Sequence, residues 1–556
     1  MQYRSTRGGA SGVTFEHALF DGLARDGGLY IPHRIPRLSL GDIAALQSLP
    51  FPKLALAIFR PFIDPSEIPD ADLLSILERS FATFDSPTVA PLVDLPGSAE
   101  GFSVLELWHG PTFAFKDVAL QVVGNLFEYF LKRRNGEAKK AANGTANGHG
   151  EEHTITVLGA TSGDTGSAAI YGLRGKDSIK VFILHPKGRV SPVQEAQMTT
   201  VLDDNVFNVA VEGTFDDCQE VVKACFNDQE FREKHRLAAV NSINWARILS
   251  QITYYFAAYF QHVAKRGLTL DPSAPAESAP KVSFSVPTGN FGDILAGYYA
   301  TRMGLPVDRL LVATNRNDIL HRFLQTGDYS KRRDPATGKV LDAYATASPA
   351  MDILVSSNFE RLCWYLERGD GRGADMSAGS VAQESDPASA ESRASVAVRG
   401  HMVSLSSKGS FSVTSSVLDL SRSLFDSDMV DDVETADCIH RYYSRGGYIL
   451  DPHTAVGVVA AERAATRDAA VWGTHNGIVL ATAHPGKFPD AVLKSLRRGG
   501  KEVAYSDIAT KEMLALEGMP RRCTEVQTDG GDKAKALNGV KKVIGDVVAG
   551  VDVFTQ

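Results

Sequence analysis

The chain is poor in cysteine. Its five cysteines among 556 residues (Cys218, Cys225, Cys363, Cys438, Cys523) never stand as C-x-x-C. That excludes a disulfide framework and a cysteine-based zinc site, and it fits a reducing compartment. Positive charge is not in excess either. With 58 Lys+Arg against 66 Asp+Glu the net charge is -8, and no basic stripe stands out, so the electrostatic footprint of a nucleic-acid binder is missing. No apolar run approaches a membrane span. The opening stretch "MQYRSTRGGASGVTFEHALFDGLARDGGLYIP" has no apolar h-region and carries acids, which argues against a signal or transit peptide. The expectation is a cytoplasmic protein, monomer or homodimer, that handles a small molecule and engages neither nucleic acid nor membrane.

What the chain does contain is a regular alternation of β and α patterns. The length suggests roughly three to four units, and 44% hydrophobic with 22% charged residues is ordinary for a globular protein. Residues 1–95 mix short helical patterns with Pro-rich connectors. From about residue 101, apolar β-rich runs alternate with amphipathic ones: "HTITVLG" then "TGSAAIYGLRG", "IKVFILHP" then "SPVQEAQMTTVL", "NVFNVAVEG" then "TFDDCQEVVKACFND". In the last of these, Phe215, Cys218, Val221, Val222, Cys225 and Phe226 share one helical face, and Thr214 is the expected N-cap. The long amphipathic run "NWARILSQITYYFAAYFQHVAKRG" follows, and then "KVSFSVPTG", "GDILAGYYATRMG", "DRLLVATN" and "NDILHRFLQTG". This order calls for mostly parallel sheets flanked by helices, an α/β core in two lobes.

Two stretches, 133–153 and 369–400, are rich in Gly, Ala, Ser, Asn and charge, and read as mobile surface insertions with almost nothing to bury. "DPSAPAESAP" (271–280) reads as a connector. The expected division is an N-terminal segment 1–95, a catalytic α/β core 96–365, a low-complexity insertion 366–402 and a C-terminal part of the core 403–556.

The chemistry is signalled by one lysine and two loops. "LWHGPTFAFKD" places Lys116 after a run of aromatics, Gly and Pro. A lysine there either snorkels to the surface past an apolar stem or is buried, and burial lowers its pKa and makes the amine a nucleophile. "TVLGATSGDTGSAA" and "FSVPTGNFGDILAG" both run strand, glycine-rich loop, helix, and a glycine-rich turn at a helix N-terminus is an anion site. Neither matches the dinucleotide or Walker A pattern. A single such loop reads equally well as plain turn geometry. An imine-forming lysine together with a phosphate cradle is what pyridoxal phosphate requires. No metal site is read.

The segments "HGPTFAFKDVAL", "GATSGDTGSAA", "SVPTGNFGD" and "TAHPGKFPDAV", with "YRSTRG", "DGGLYIP" and "DPHTAVG", together resemble the threonine synthase family of fungi and many bacteria. That family belongs to the fold-type II, tryptophan synthase beta-like group of pyridoxal-phosphate enzymes. The resemblance implies a lyase that makes L-threonine and phosphate from O-phospho-L-homoserine and water, with pyridoxal 5'-phosphate as cofactor. It implies that Lys116 bonds the cofactor's aldehyde and moves protons, that Gly289, Asn290, Phe291, Gly292 and Asp293 hold its phosphate, and that Thr482 lies by the pyridine nitrogen, with Thr454 second. Thr161, Ser162, Gly163, Asp164 and Thr165 match the loop that receives the substrate. Asp164 looks repulsive to an anion there, and a helix-capping role weighs as much. Arg247 and Lys187 are candidate phosphate ligands, or else solvated or ion-paired surface cations. His109 reads as bonded to backbone beside its turn, Trp108, Phe113 and Phe115 as core or pocket wall, and Asp117 as an N-cap or the partner of a distant group. Two other readings stand beside this one: a serine/threonine dehydratase or cysteine synthase of the same fold group, and a silent homologue that binds a phosphorylated metabolite.

Overall fold

Residues 1–143, 152–161, 163–273, 275, 278–370, 387–473, 475–498, 500–528 and 532–553 are described by the computed structural model. Two sheets organise them. The larger has six strands in the order Phe425–Met429, Val307–Thr314, Val282–Pro287, Gly477–Ala481, Ser103–Glu106, Leu92–Asp94, parallel throughout except for the last pair. The smaller has five parallel strands in the order Thr524–Val526, Val206–Val211, Ile179–Pro186, Ile155–Ala160, Leu237–Ala238. Every residue of the strands "VSFSVP" and "VFNVAV" is buried. That is the expected consequence of helices covering both faces of a parallel sheet.

The amphipathic runs form helices where their periodicity places them. Phe215–Asn227 is capped by Thr214, whose hydroxyl accepts from the Asp217 amide while Asp217 accepts from the Thr214 amide in return. Cys218, Val221 and Cys225 on its inner face are buried. The helix Trp245–Lys265 is buried over most of its length and packs on the helices Lys116–Asn143 and Gly292–Arg302.

The first 95 residues do not make a separate body. They form a two-stranded antiparallel sheet (Tyr3–Ser5 with Tyr30–Pro32) and the helices Phe15–Asp21, Leu40–Leu46, Phe51–Phe59 and Asp70–Phe81, and they share one apolar core with both sheets. Trp245 Nε1 donates to the Tyr3 hydroxyl at 3.0 Å, and that hydroxyl donates to the Phe62 carbonyl at 2.6 Å. Arg361, fully buried, donates to the carbonyls of Tyr30 and Ile243 and to Asn358, and so joins three segments far apart in sequence.

The two insertions need correction. Within 369–400 (and the wider 366–402), the residues from 387 belong to a helix, Pro387–Lys408. Ala390, Ala394 and Val398 of that helix are buried, and Trp364 Nε1 donates to Ser395 Oγ at 3.0 Å. A stripe of small residues four apart buries little area per residue, so composition underrates it. Likewise residues 133–143 continue the helix Lys116–Asn143, with Arg133 and Arg134 both paired to Glu16. The remaining parts, 144–151 and 371–386, lie outside the described residues, as do 274 and 276–277 of the connector. Among the described residues no helix is long and apolar enough to cross a membrane.

Candidate active site

Strands of both sheets end at one cavity of about 1400 Å³. The carboxyl ends of Ile155–Ala160, Val282–Pro287 and Gly477–Ala481 open onto it, the usual ligand position in parallel α/β sheets. Its walls include Lys116, Thr161, Asp164, Thr165, Arg247, the run Gly289–Asp293 and Thr482. Most of the residues singled out in the sequence therefore meet in one place.

Lys116 is the first residue of the helix Lys116–Asn143, and the turn before it is tied to the end of the strand Gly477–Ala481. The Phe115 amide donates to the Thr482 carbonyl at 2.8 Å, and the His484 amide to the Phe113 carbonyl at 3.1 Å. Lys116 does not snorkel outward. It is 8% exposed, with Nζ 3.4 Å from Asp164 Oδ2. Burial lowers its pKa against the pull of Asp164, and Lys487 and Arg247 push the same way as burial. Such an amine has a larger neutral, nucleophilic fraction than an ordinary lysine.

Asp164 is not a helix cap; Gly163 occupies that position, at φ 149°. Its Oδ1 accepts from Gln194 Nε2 at 2.8 Å and lies 2.8 Å from Lys487 Nζ. Burial alone would raise its pKa, but Lys487 and then Lys116 overrule burial and hold the carboxyl far below the usual range. The charge that looked repulsive to an anion is thus neutralised from behind. Sequence reasoning assigned Lys487 no role, although "HPGKFPD" sets it, like Lys116, among Gly, Pro and an aromatic. Lys487 is fully buried and also donates to the Thr112 carbonyl at 2.6 Å.

The run Gly289–Asp293 fits a phosphate. The Gly289 carbonyl accepts from Ser356 Oγ at 2.7 Å, and the Asn290 carbonyl from the Asn358 amide at 3.0 Å. In a trans peptide the N–H opposes the C=O, so the following amides point the other way. Phe291 sits in the left-handed region at φ 61°, anchored by ring contacts to Phe359 and Phe425, and the helix Gly292–Arg302 starts directly after it with its first-turn amides unpaired. A Cβ on Gly289 would come within 3.0 Å of the Ala350 carbonyl oxygen, which closes the cradle to other residues. Close by, Arg247 Nη1, Gln251 Oε1 and Asp293 Oδ2 are buried without hydrogen-bond partners. Of these only Arg247 Nη1 is a donor, and a buried guanidinium nitrogen with no partner is suited to take an anion there. Burial pushes Arg247 down to about 10. It pushes Asp293 up to about 7, although Tyr254 and Tyr255 both donate to its Oδ1, at 2.5 and 3.0 Å.

The two threonine candidates for the pyridine nitrogen separate cleanly. Thr482 lines the cavity. Thr454 does not: its hydroxyl donates to the buried carboxylate of Asp451, the N-cap of the helix Pro452–Arg467. In the substrate-side loop, Thr161 Oγ1 accepts from the amides of Gly163 and Gly166, both at 2.9 Å, while Ser162 lies outside the described residues. Lys187 is not brought to the site. It is half exposed and paired with Glu525 at 2.6 Å, a surface ion pair. His109 differs from expectation too, since its ring bridges the carboxylates of Asp85 (2.7 Å) and Glu106 (2.9 Å) rather than backbone. Asp117 takes the amide and hydroxyl of Thr112 at 2.8 and 2.7 Å.

Three family models cover most of the chain in order: threonine synthase N terminus over 2–81, pyridoxal-phosphate dependent enzyme over 84–368, and threonine synthase, C-terminal over 454–544. Threonine synthase of Saccharomyces cerevisiae is 47% identical over 531 residues, 94% of each chain. The chain belongs to the threonine synthase family. The Pseudomonas aeruginosa threonine synthase is 46% identical over 89% of this chain and 90% of its own. Among solved structures, threonine synthase from yeast superposes with a TM-score of 0.84 at 44% identity, covering 98% of this chain and 99% of that one. The pyridoxal-phosphate-bound threonine synthase from Brucella melitensis gives 0.79 at 40% identity, over 98% of both chains. The fold is accordingly that of the fold-type II pyridoxal-phosphate enzymes, and the cofactor of this threonine synthase family member is pyridoxal 5'-phosphate.

Proposed function

We propose that this chain converts O-phospho-L-homoserine and water to L-threonine and inorganic phosphate, with Lys116 as the residue that bonds the cofactor's aldehyde. The observation that carries the reading is the convergence on one cavity of a buried lysine, a glycine cradle and an unpaired guanidinium, in a chain so similar to threonine synthases along nearly its full length. When bound, the cofactor supplies an electron sink that makes hydrogens next to the substrate's amino carbon removable.

The chain's own residues do the rest. The amides after Gly289 and Asn290, with the first turn of the helix Gly292–Arg302, would hold the cofactor phosphate; Gly292 and Asp293 open that helix. Thr482 lines the cavity and would offer a neutral hydroxyl to the cofactor's ring nitrogen, a hydrogen bond without a full charge. Thr161, Asp164 and Thr165 line the substrate side, Gly163 caps the helix that follows, and Arg247 would hold an anion. The buried Lys116 amine takes the proton from Cα and then one from Cβ. Phosphate leaves from Cγ, which gains a proton. Water supplies its hydroxyl to Cβ, and Lys116 returns a proton to Cα. The lowered pKa of Lys116 suits both directions of transfer.

The reading includes a cytoplasmic location, supported by Cys218, Cys225, Cys363 and Cys438, which are buried free thiols. It also includes a monomer or homodimer, which sedimentation would decide. The test of function is a visible spectrum before and after borohydride, a peptide map, and phosphate release from O-phosphohomoserine by wild type and Lys116→Ala. A chromophore fixed to the Lys116 peptide, with phosphate release only in wild type, is expected. A colourless protein that stays inert with added cofactor would leave a silent binding homologue. A coloured protein that deaminates serine or threonine and releases no phosphate would keep the fold and change the reaction.

A further inference from the structure

Two buried lysines share one carboxylate at the heart of the cavity wall. Asp164 turns Oδ2 toward Lys116 Nζ at 3.4 Å and Oδ1 toward Lys487 Nζ at 2.8 Å, with Gln194 Nε2 also on Oδ1 at 2.8 Å. Lys487 does not line the cavity, whereas Asp164 and Lys116 do. Its ammonium is fully buried, and its contacts are the Asp164 carboxylate and the Thr112 carbonyl, the latter at 2.6 Å. It therefore cannot bind substrate directly. Removing an ammonium from water costs several kcal/mol, so a fully buried one behind an active carboxylate calls for a role beyond packing.

Resting on the reading of Lys116 given above, we infer that Lys487 is a positioning residue that fixes Asp164 as a permanently charged acceptor facing the Lys116 nitrogen. Lys487 and Gln194 together occupy Oδ1 and so fix the rotation of the carboxyl. Oδ2 is left as the single anionic atom facing the nitrogen that must gain and lose protons. Lys487 also offsets the negative charge that would otherwise repel an anionic substrate from the Asp164 loop. The two effects oppose each other at Lys116. Asp164 favours its protonated form, while Lys487 disfavours it by like-charge repulsion. The balance of the two sets how far the nitrogen's pKa falls below that of an ordinary lysine.

The charged and titratable groups facing this cluster are Lys116, Asp164, Lys487, Arg247, His453, His484 and Asp117. The last four are common to wild type and variants, so a difference between them isolates the pair. The test is a pH titration of the visible band of the holoenzyme, recorded for wild type, Lys487→Met, Lys487→Arg and Asp164→Asn. Loss of the Lys487 charge is expected to raise the midpoint of the band by about one pH unit, and loss of the Asp164 charge to lower it by about one unit or more. Arginine, which keeps the charge, should restore the wild-type midpoint. Midpoint shifts of opposite sign cannot come from simple loosening of the fold, which would lower Tm and leave the midpoint in place. A midpoint unmoved in Lys487→Met, or moved in the same direction by both neutralising variants, would overturn the inference. If Lys487→Met does not fold, Asp164→Asn with Lys487→Arg decides: an unmoved midpoint in the first overturns it. If borohydride fixes no cofactor on Lys116 in wild type, the reading of Lys116 fails first, and that outcome is distinct from a fixed cofactor whose titration ignores both substitutions.

Discussion

The backbone carbonyl of Thr482 accepts the amide hydrogen of Phe115 at 2.8 Å. One residue before Phe115 and one after Thr482, the chain forms an antiparallel bridge between Ala114 and Ala483. The lysine helix and the strand end that bears the Thr482 hydroxyl therefore move as one piece, and Thr482 holds that place through its backbone, whatever its side chain.

Thr482→Val should accordingly fold normally, with Tm within about 2 °C of wild type, and lose about 10- to 100-fold in kcat. Thr454→Val should show the reverse pattern. It strips the buried Asp451 carboxylate of a hydroxyl partner and should cost about 1–3 kcal/mol of stability. Steady-state rates and thermal melts of the two variants side by side check the assignment.

Asp293 supplies a pH signature. Its folded pKa is raised to about 7, so between about pH 4 and pH 7 the folded chain holds a proton that the unfolded chain releases. Its effect on stability is therefore most favourable below pH 4 and worsens as pH rises to 7. In Asp293→Asn that slope is gone, and the amide still accepts from Tyr254 and Tyr255. Relative to wild type, the variant should gain on the order of 2 to 4 kcal/mol between pH 5 and pH 8. Chemical denaturation of cofactor-stripped protein at the two pH values reads the difference.

Arg247 carries a buried positive charge whose Nη1 has no partner. Arg247→Met should stabilise the cofactor-free protein, by about 1–3 °C in Tm, because an uncompensated charge is replaced by a hydrophobe. The same variant should lose the thermal protection that inorganic phosphate gives wild type. A variant that is destabilised and still protected by phosphate would show that Arg247 does not meet the anion.

Lys187 provides the contrast. Exposed and paired with Glu525 outside the cavity, it should tolerate Lys187→Ala with kcat/KM within about twofold of wild type.

Periodicity was enough to read the parallel framework, because strands such as "VFNVAV" and helices such as Phe215–Asn227 are specified locally by pattern and cap. The site residues on short loops were legible through motif order, and Lys116, Arg247, Thr482 and the Gly289–Asp293 run do meet. Three things were not legible. Lys487 meets Asp164 across more than three hundred residues, a pairing that no local spacing encodes. The helix Pro387–Lys408 packs through alanines whose contribution comes from close approach, not from hydrophobicity. His109 lies between two carboxylates because Asp85 arrives from the preceding connector, which pattern reading left without a place.

The order of the six-stranded sheet bears on how the chain is made. The strand Gly477–Ala481 lies between Ser103–Glu106 and Val282–Pro287. During synthesis those two strands are complete long before their shared neighbour leaves the ribosome, and each presents an unpaired apolar edge for that interval. Such edges invite pairing with other chains. A nascent chain of this protein consequently has its central sheet split in two from the completion of Val282–Pro287 until Gly477–Ala481 emerges, so a stall or nonsense codon before residue 477 should yield an aggregation-prone fragment rather than a partly active enzyme.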